Sequence, residues 1–315
     1  MGKVLRLIYT VTMNPCLDYV VELEQVKLGG LNRAKATDIR AGGKGINVSL
    51  MLNQLDVENK ATGFVAGFTG DEITAQLGRA GVRSEFLTVN GLSRINVKLW
   101  AEEETEVNGT GPAVDGSDVR RLFRVLEKAR KQDIIVLSGS VPATLPRGIY
   151  GEIACWAEQN RIPLAVDAAG ELLRDCLPYH PLFVKPNLQE LEELFGQPLN
   201  SDEEVIRAAG KLRAEGAQSV LVSMGGGGAL LAAKDAVYRA QAPQGKVIGT
   251  VGAGDSMVAG FLSELSKKPD MCQALRMGVA AGSATAFSPG LGSRSLVMRL
   301  AAEIQPFQVA GMSSE

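Results

Sequence analysis

Short apolar runs alternate with amphipathic stretches from one end of the chain to the other. Runs at residues 5–12, 60–66, 133–139, 164–167, 182–185 and 219–224 predict strands. Ile134, Ile135, Val136 and Leu137 are apolar in succession, as in strands covered on both faces. The stretches between carry helical spacing. Ser117 and Asp118 offer caps ahead of Val119, Leu122, Phe123 and Leu126, a pattern that continues to Lys131. Ser201 and Glu204 stand in capping-box spacing before Val205, Ala208 and Leu212, with Gly216 as a stop. Repetition of strand and helix predicts an α/β fold, a doubly wound, mostly parallel sheet flanked by helices, in one domain over residues 1–315.

Two stretches, about 15–40 and 91–111, break this rhythm with turn chemistry and alternation. Ile95, Val97, Leu99 and Ala101 alternate with Asn96, Lys98 and Trp100, and the acidic run from Glu102 to Glu104 follows. The pattern predicts a half-exposed strand in a small accessory sheet, and it fits a surface hairpin and a lid over a cleft equally well. The tail at 309–315 is expected to fray.

Composition narrows the chemistry. The 315 residues are 45% hydrophobic and carry a formal charge of −2, so no basic surplus exists to attract nucleic acid or an anionic membrane. No apolar run approaches the roughly 20 residues of a membrane span. The only histidine, His180, excludes His-cluster metal sites and most His-dependent triads. Cys16, Cys155, Cys176 and Cys272 lie far apart without a CxxC, and read as free thiols of a reducing compartment. With no secretory pattern at the N-terminus, a cytoplasmic protein is expected.

Four segments carry candidate chemistry. Thr250-Val251-Gly252-Ala253-Gly254-Asp255-Ser256 leads into an apolar stretch over 257–266, so a buried helix begins near Ala253. Two glycines let a ligand approach the unpaired N–H groups of its first turn. Asp255 in that turn fits a dipole-stabilising carboxylate or a catalytic one, and the dipole predicts a low pKa for it. Ala41-Gly42-Gly43-Lys44-Gly45-Ile46-Asn47 precedes a helix over 46–55 and reads as a glycine turn or an anion and sugar contact. It lacks the Ser or Thr that a Walker A loop requires after GK. Lys185-Pro186-Asn187 with Glu190 ends a strand; Asn187 and Glu190 suffice as a capping box, or could face a cleft as Mg²⁺ ligands. Ser223-Met224 and the four glycines Gly225 to Gly228 fit a hairpin turn or close backbone approach to a flat ligand. Most of these segments follow a strand, on the edge where open α/β sheets bind ligands, yet no GxGxxG follows the first strand, which weighs against a nicotinamide-dependent dehydrogenase.

Taken with Asn14-Pro15, Asp18 and Ser138-Gly139-Ser140, these motifs resemble the ribokinase-like (PfkB) sugar-kinase family over essentially the whole chain. The resemblance implies ATP-dependent phosphorylation of a ketose phosphate, with fructose 1-phosphate the expected substrate, tagatose 6-phosphate the alternative, and a catalytically weak sugar-phosphate sensor the non-enzymatic one. It implies Asp255 as base for the acceptor hydroxyl, with Gly252, Ala253 and Gly254 as the anion hole. Asp18, Gly43 and Asn47 would hold sugar hydroxyls, Lys44 and Arg94 would hold the substrate's phosphate, and Gly42 and Ser140 would belong to the same substrate site. Lys185, Asn187 and Glu190 would serve the nucleotide phosphates and Mg²⁺, the last two as metal ligands. Ser223, Gly225, Gly228 and Ser283 would line ATP. The two irregular stretches become a β-sheet lid, which in relatives clasps a second subunit, so a homodimer through the lid is expected.

Overall fold

The computed structural model describes residues 6–146, 148–267 and 270–311. Fourteen strands follow one another among them: β1 (Ile8–Thr12), β2 (Cys16–Glu22), β3 (Ala36–Gly42), β4 (Asn59–Ala66), β5 (Arg83–Val89), β6 (Arg94–Trp100), β7 (Glu104–Asn108), β8 (Ile134–Ser138), β9 (Leu164–Asp167), β10 (Phe183–Val184), β11 (Val220–Ser223), β12 (Ala229–Ala232), β13 (Ala236–Ala240) and β14 (Phe307–Gly311). Ten form one sheet in the order β14-β13-β12-β11-β10-β9-β8-β1-β4-β5. From β11 to β5 every pairing is parallel, and β12, β13 and β14 complete one edge antiparallel. Strand order reverses between β1 and β8, and the carboxyl ends there open the crevice in which such sheets hold ligands.

All residues of β1 and β8 are buried, as their unbroken apolar runs predict. One core cluster packs helices Gly116–Leu126, Ile149–Gln159 and Asp202–Ala214 on one face. On the other, Lys44–Gln54, Ala253–Leu265, Met271–Ala286 and Arg294–Glu303 join a second. Local chemistry shifts some boundaries. The Gly116–Leu126 helix is capped by Asp115, two residues before the expected Ser117 and three before Asp118, and it ends before Lys131 as 3₁₀-type bonds tighten its last turn. Leu5 of the first predicted strand lies outside the described residues. The tail does not fray from Val309, because its backbone up to Gly311 pairs with β13 as an edge strand.

The two irregular stretches form a separate sheet, β3-β2-β6-β7, over the carboxyl ends of the large one. In β6 the polar side faces inward: Asn96 and Lys98 are 6% and 7% exposed, whereas Ile95 is 42% exposed. A surface hairpin would show the opposite, so the alternation belongs to a lid with a polar inner face.

Candidate active site

The Ala253–Leu265 helix begins on Gly252, whose left-handed φ of +78° is open to glycine and strained for other residues. The Ala253 N–H donates to Thr250 O and that of Ser256 to Gly252 O. Gly254 and Asp255 have no backbone acceptor among the described residues, so their amides can meet an anion. Space for it exists because Gly254 has no side chain; a Cβ there would lie 3.4 Å from Lys185 Nζ.

Asp255 is 6% exposed, and its Oδ2 accepts from Asn47 Nδ2 at 2.8 Å. Burial pushes its pKa up to about 6, with the Asp167 carboxylate adding to the rise; the Asn47 bond, Lys44 and Lys185 oppose it. The low value expected from the helix dipole is therefore corrected. Desolvation of a carboxylate under a closed core outweighs the partial charge of one helix end.

Asp167, at the carboxyl end of β9, is fully buried and unites the cations. Its Oδ1 lies 3.2 Å from both Lys44 Nζ and Lys185 Nζ, and Lys44 also sits 3.7 Å from Glu190 Oε1. Burial opposes ionisation of Asp167, but the two lysines hold its pKa below the ordinary carboxylate value. Lys44 is likewise held charged: burial lowers its pKa, and Asp167, Glu190 and Asp255 raise it by more. Two ammonium groups are thus fixed beside the helix start. Asp167 was absent from the sequence-derived candidates; its one signal was an acidic residue ending a predicted apolar strand.

Three cavities lie around the helix start and this cluster. One, of about 600 Å³, lies under the lid and is lined by Asp18, Asn47, Lys98 and Gly252. Asp18 is held from behind, its Oδ1 accepting from Asn96 Nδ2 at 3.0 Å and from the Cys16 thiol at 3.3 Å. A Cβ on Gly42 would stand 2.5 Å from Asp18 Oδ2, so that glycine keeps the second oxygen clear. A smaller cavity of about 340 Å³ collects Gly43, Lys44, Arg94, Ser140 and Glu190. Arg94 Nε donates to Asn14 O at 3.0 Å, and Arg94 has no carboxylate partner among the described residues. The third, of about 640 Å³, is lined by Lys185, Asn187, Ser223, Gly225, Gly228 and Ser283, and by Asp255.

Asn187 and Glu190 form a complete capping box: Asn187 Oδ1 accepts from Glu190 N, and Glu190 Oε2 from Asn187 N. Both also line the third cavity, so the capping box and a place at the cleft are compatible. No group of three or more His, Cys, Asp or Glu among the described residues is arranged to hold a metal ion.

An open α/β sheet with two substrate-sized cavities meeting at a glycine-opened helix start, a carboxylate and two lysines, is built as a phosphotransferase between two bound molecules. The chain belongs to the pfkB family of carbohydrate kinases, whose family model matches residues 11–297. It is 44% identical over 299 residues to the 1-phosphofructokinase of Bacillus subtilis, covering 95% of this chain and 99% of that protein. The D-tagatose-1-phosphate kinase of Bacillus licheniformis is 37% identical over 95% of this chain and 99% of its own length. Phosphofructokinase-2 from Escherichia coli, solved in complex with fructose-6-phosphate, superposes with a TM-score of 0.89 at 29% identity, covering 95% of this chain and 99% of that one.

Proposed function

We propose that this chain transfers the γ-phosphate of ATP to the C6 hydroxyl of fructose 1-phosphate, giving fructose 1,6-bisphosphate. The supporting observation is Asp255, hydrogen-bonded to Asn47 where the lid cavity meets the cavity lined by the glycine turn. In this reading Asp18 and Asn47 hold sugar hydroxyls in the lid cavity. Arg94 and Ser140 take the C1 phosphate in the small cavity, where Lys44 faces both phosphate groups. Thr12, Asn14 and Ser138 line that cavity with buried side-chain oxygens that have no partner, available to substrate oxygens or their waters. ATP occupies the third cavity, and the amides of Gly254 and Asp255 with Lys185 neutralise charge on the moving phosphoryl group. Asp255 accepts the proton of the C6 hydroxyl as the new O–P bond forms and the bond to the β-phosphate oxygen breaks.

Mg²⁺ fits this site as a companion of the nucleotide. Asn187 Oδ1 and Glu190 Oε2 are engaged in the capping box, so Glu190 Oε1, 3.7 Å from Lys44 Nζ, would be the oxygen of this pair to meet the ion through its waters. Mg²⁺ keeps several waters and binds largely through phosphates, so it needs no dedicated cage. When bound it withdraws charge from the β- and γ-phosphates. The setting is the cytoplasm, in keeping with four free cysteines.

Steady-state kinetics with ATP against fructose 1-phosphate, tagatose 1-phosphate, tagatose 6-phosphate, fructose 6-phosphate and fructose test the assignment. Fructose 1-phosphate is expected to give the highest kcat/KM, with fructose lower by about 10²–10³-fold for lack of the phosphate contacts. Equal use of fructose would overturn the assignment. Tagatose 1-phosphate is the second reading, favoured by the 37% identical tagatose-1-phosphate kinase.

The outer lid face supports a homodimer. Ile39, Tyr19, Val97 and Val107 lie in register across all four strands, and Ile39 and Val107 are 50% and 59% exposed. A row of this kind on a sheet face marks a surface to be covered. Sedimentation is expected to show a dimer for the wild type and a monomer for Ile95→Glu/Val107→Glu. A monomeric wild type would remove the claim.

A further inference from the structure

In the glycine turn at 225–228, Gly225, Gly226 and Gly228 present bare backbone to the third cavity. A run of four glycines is entropically costly to order and has no side chains by which to anchor itself. The turn closes on itself through Met224 N to Gly228 O and Gly228 N to Gly225 O, both 2.9 Å. One side chain reaches it from elsewhere. Arg239, on β13 and mostly buried, donates from Nη1 to Gly227 O at 2.7 Å, to Ala240 O at 3.0 Å and to Ala229 O at 3.2 Å. Its Nε donates to Asp202 Oδ2 at 2.8 Å, which aims the guanidinium from the first turn of the Asp202–Ala214 helix. Among the described residues no other side chain hydrogen-bonds to Gly225, Gly226, Gly227 or Gly228.

We propose that Arg239, aimed by Asp202, is the positioning residue that holds the glycine turn in the shape that receives the nucleotide; this rests on the assignment of the third cavity to ATP. The geometry gives the reason. Gly228 is packed so tightly that a Cβ would lie 2.1 Å from Ala240 O, so the turn cannot acquire an anchor of its own there. Arg239 pulls the Gly227 carbonyl away from the cavity toward β13, leaving Gly225, Gly226 and Gly228 along its wall. A guanidinium can span a carboxylate and several carbonyls at once, whereas an ammonium is a single point.

The test compares wild type, Arg239→Ala, Arg239→Lys and Asp202→Asn for KM of ATP, KM of fructose 1-phosphate, kcat and Tm. Arg239→Ala is expected to raise the KM of ATP about tenfold, with the sugar-phosphate KM and kcat at saturating ATP within twofold. Arg239→Lys and Asp202→Asn are expected between. A lower Tm with an unchanged KM for ATP, or an equal rise in both KM values, would overturn the proposal. If Arg239→Ala does not accumulate, Asp202→Asn reads the same split. A wild type that does not use ATP would defeat the nucleotide assignment itself, a different outcome from an ATP-dependent wild type indifferent to Arg239.

Discussion

Asp255→Asn is expected to lower kcat by about 10²–10⁴-fold while ATP affinity stays within about threefold. Asparagine keeps the shape and can still accept from Asn47, but it cannot take the hydroxyl proton. The wild type is expected to lose kcat as pH falls through about 6, where the buried carboxylate becomes protonated, and the variant to show no such limb. The same shift gives the sign for stability. The fold favours protonated Asp255, so that contribution is complete below the ordinary value of 3.8 and is lost as pH rises through about 6. Above that, the buried carboxylate beside Asp167 is a cost that asparagine does not carry. The Tm advantage of the variant should therefore grow between pH 4 and pH 7. Turnover within tenfold of wild type, in a folded variant, would remove Asp255 from the chemistry.

Arg94→Ala is expected to reduce kcat/KM for fructose 1-phosphate by about 10²–10³-fold, or ~3–4 kcal/mol, with little change in ATP affinity or in use of unphosphorylated fructose. The magnitude follows from a partly buried guanidinium with no carboxylate partner among the described residues, facing a cavity too small for a nucleotide. Arg94 also ties β6 to Asn14 through its Nε, so some loss could come from a displaced strand. Arg94→Lys separates the two effects: it keeps the charge, loses the fork, and should recover part of the sugar-phosphate KM. If ATP affinity fell with sugar-phosphate use, the small cavity would not be a site for the acceptor's phosphate.

The placement of the site was legible wherever its signal was local. Glycine at 252 and 43 was readable because each precedes a helix with a positive φ that other residues resist. Asn187 and Glu190 were readable because a capping box spans four residues. Arg239 was not, since nothing near it in sequence shows that it reaches Gly227 O in the turn at 225–228 or that Asp202 faces it. Asn96 was legible as a polar position in an alternating strand, but not as the donor that holds Asp18.

By itself the sequence determined the alternating α/β order, the strand ends that bear the candidate glycine turns and charged residues, and the glycines and caps that open or close each helix. These follow from backbone sterics and from hydrogen bonds within a few residues, which neighbours in the chain suffice to specify. Tertiary structure alone decided which face of β6 turns inward, that Val309 to Gly311 join a sheet edge, and that Asp167 gathers Lys44 and Lys185. It also decided the proton affinity of Asp255, whose partner Asn47 lies 208 residues away. Burial and Coulomb interactions depend on distance in space, and the fold sets that distance where sequence spacing does not.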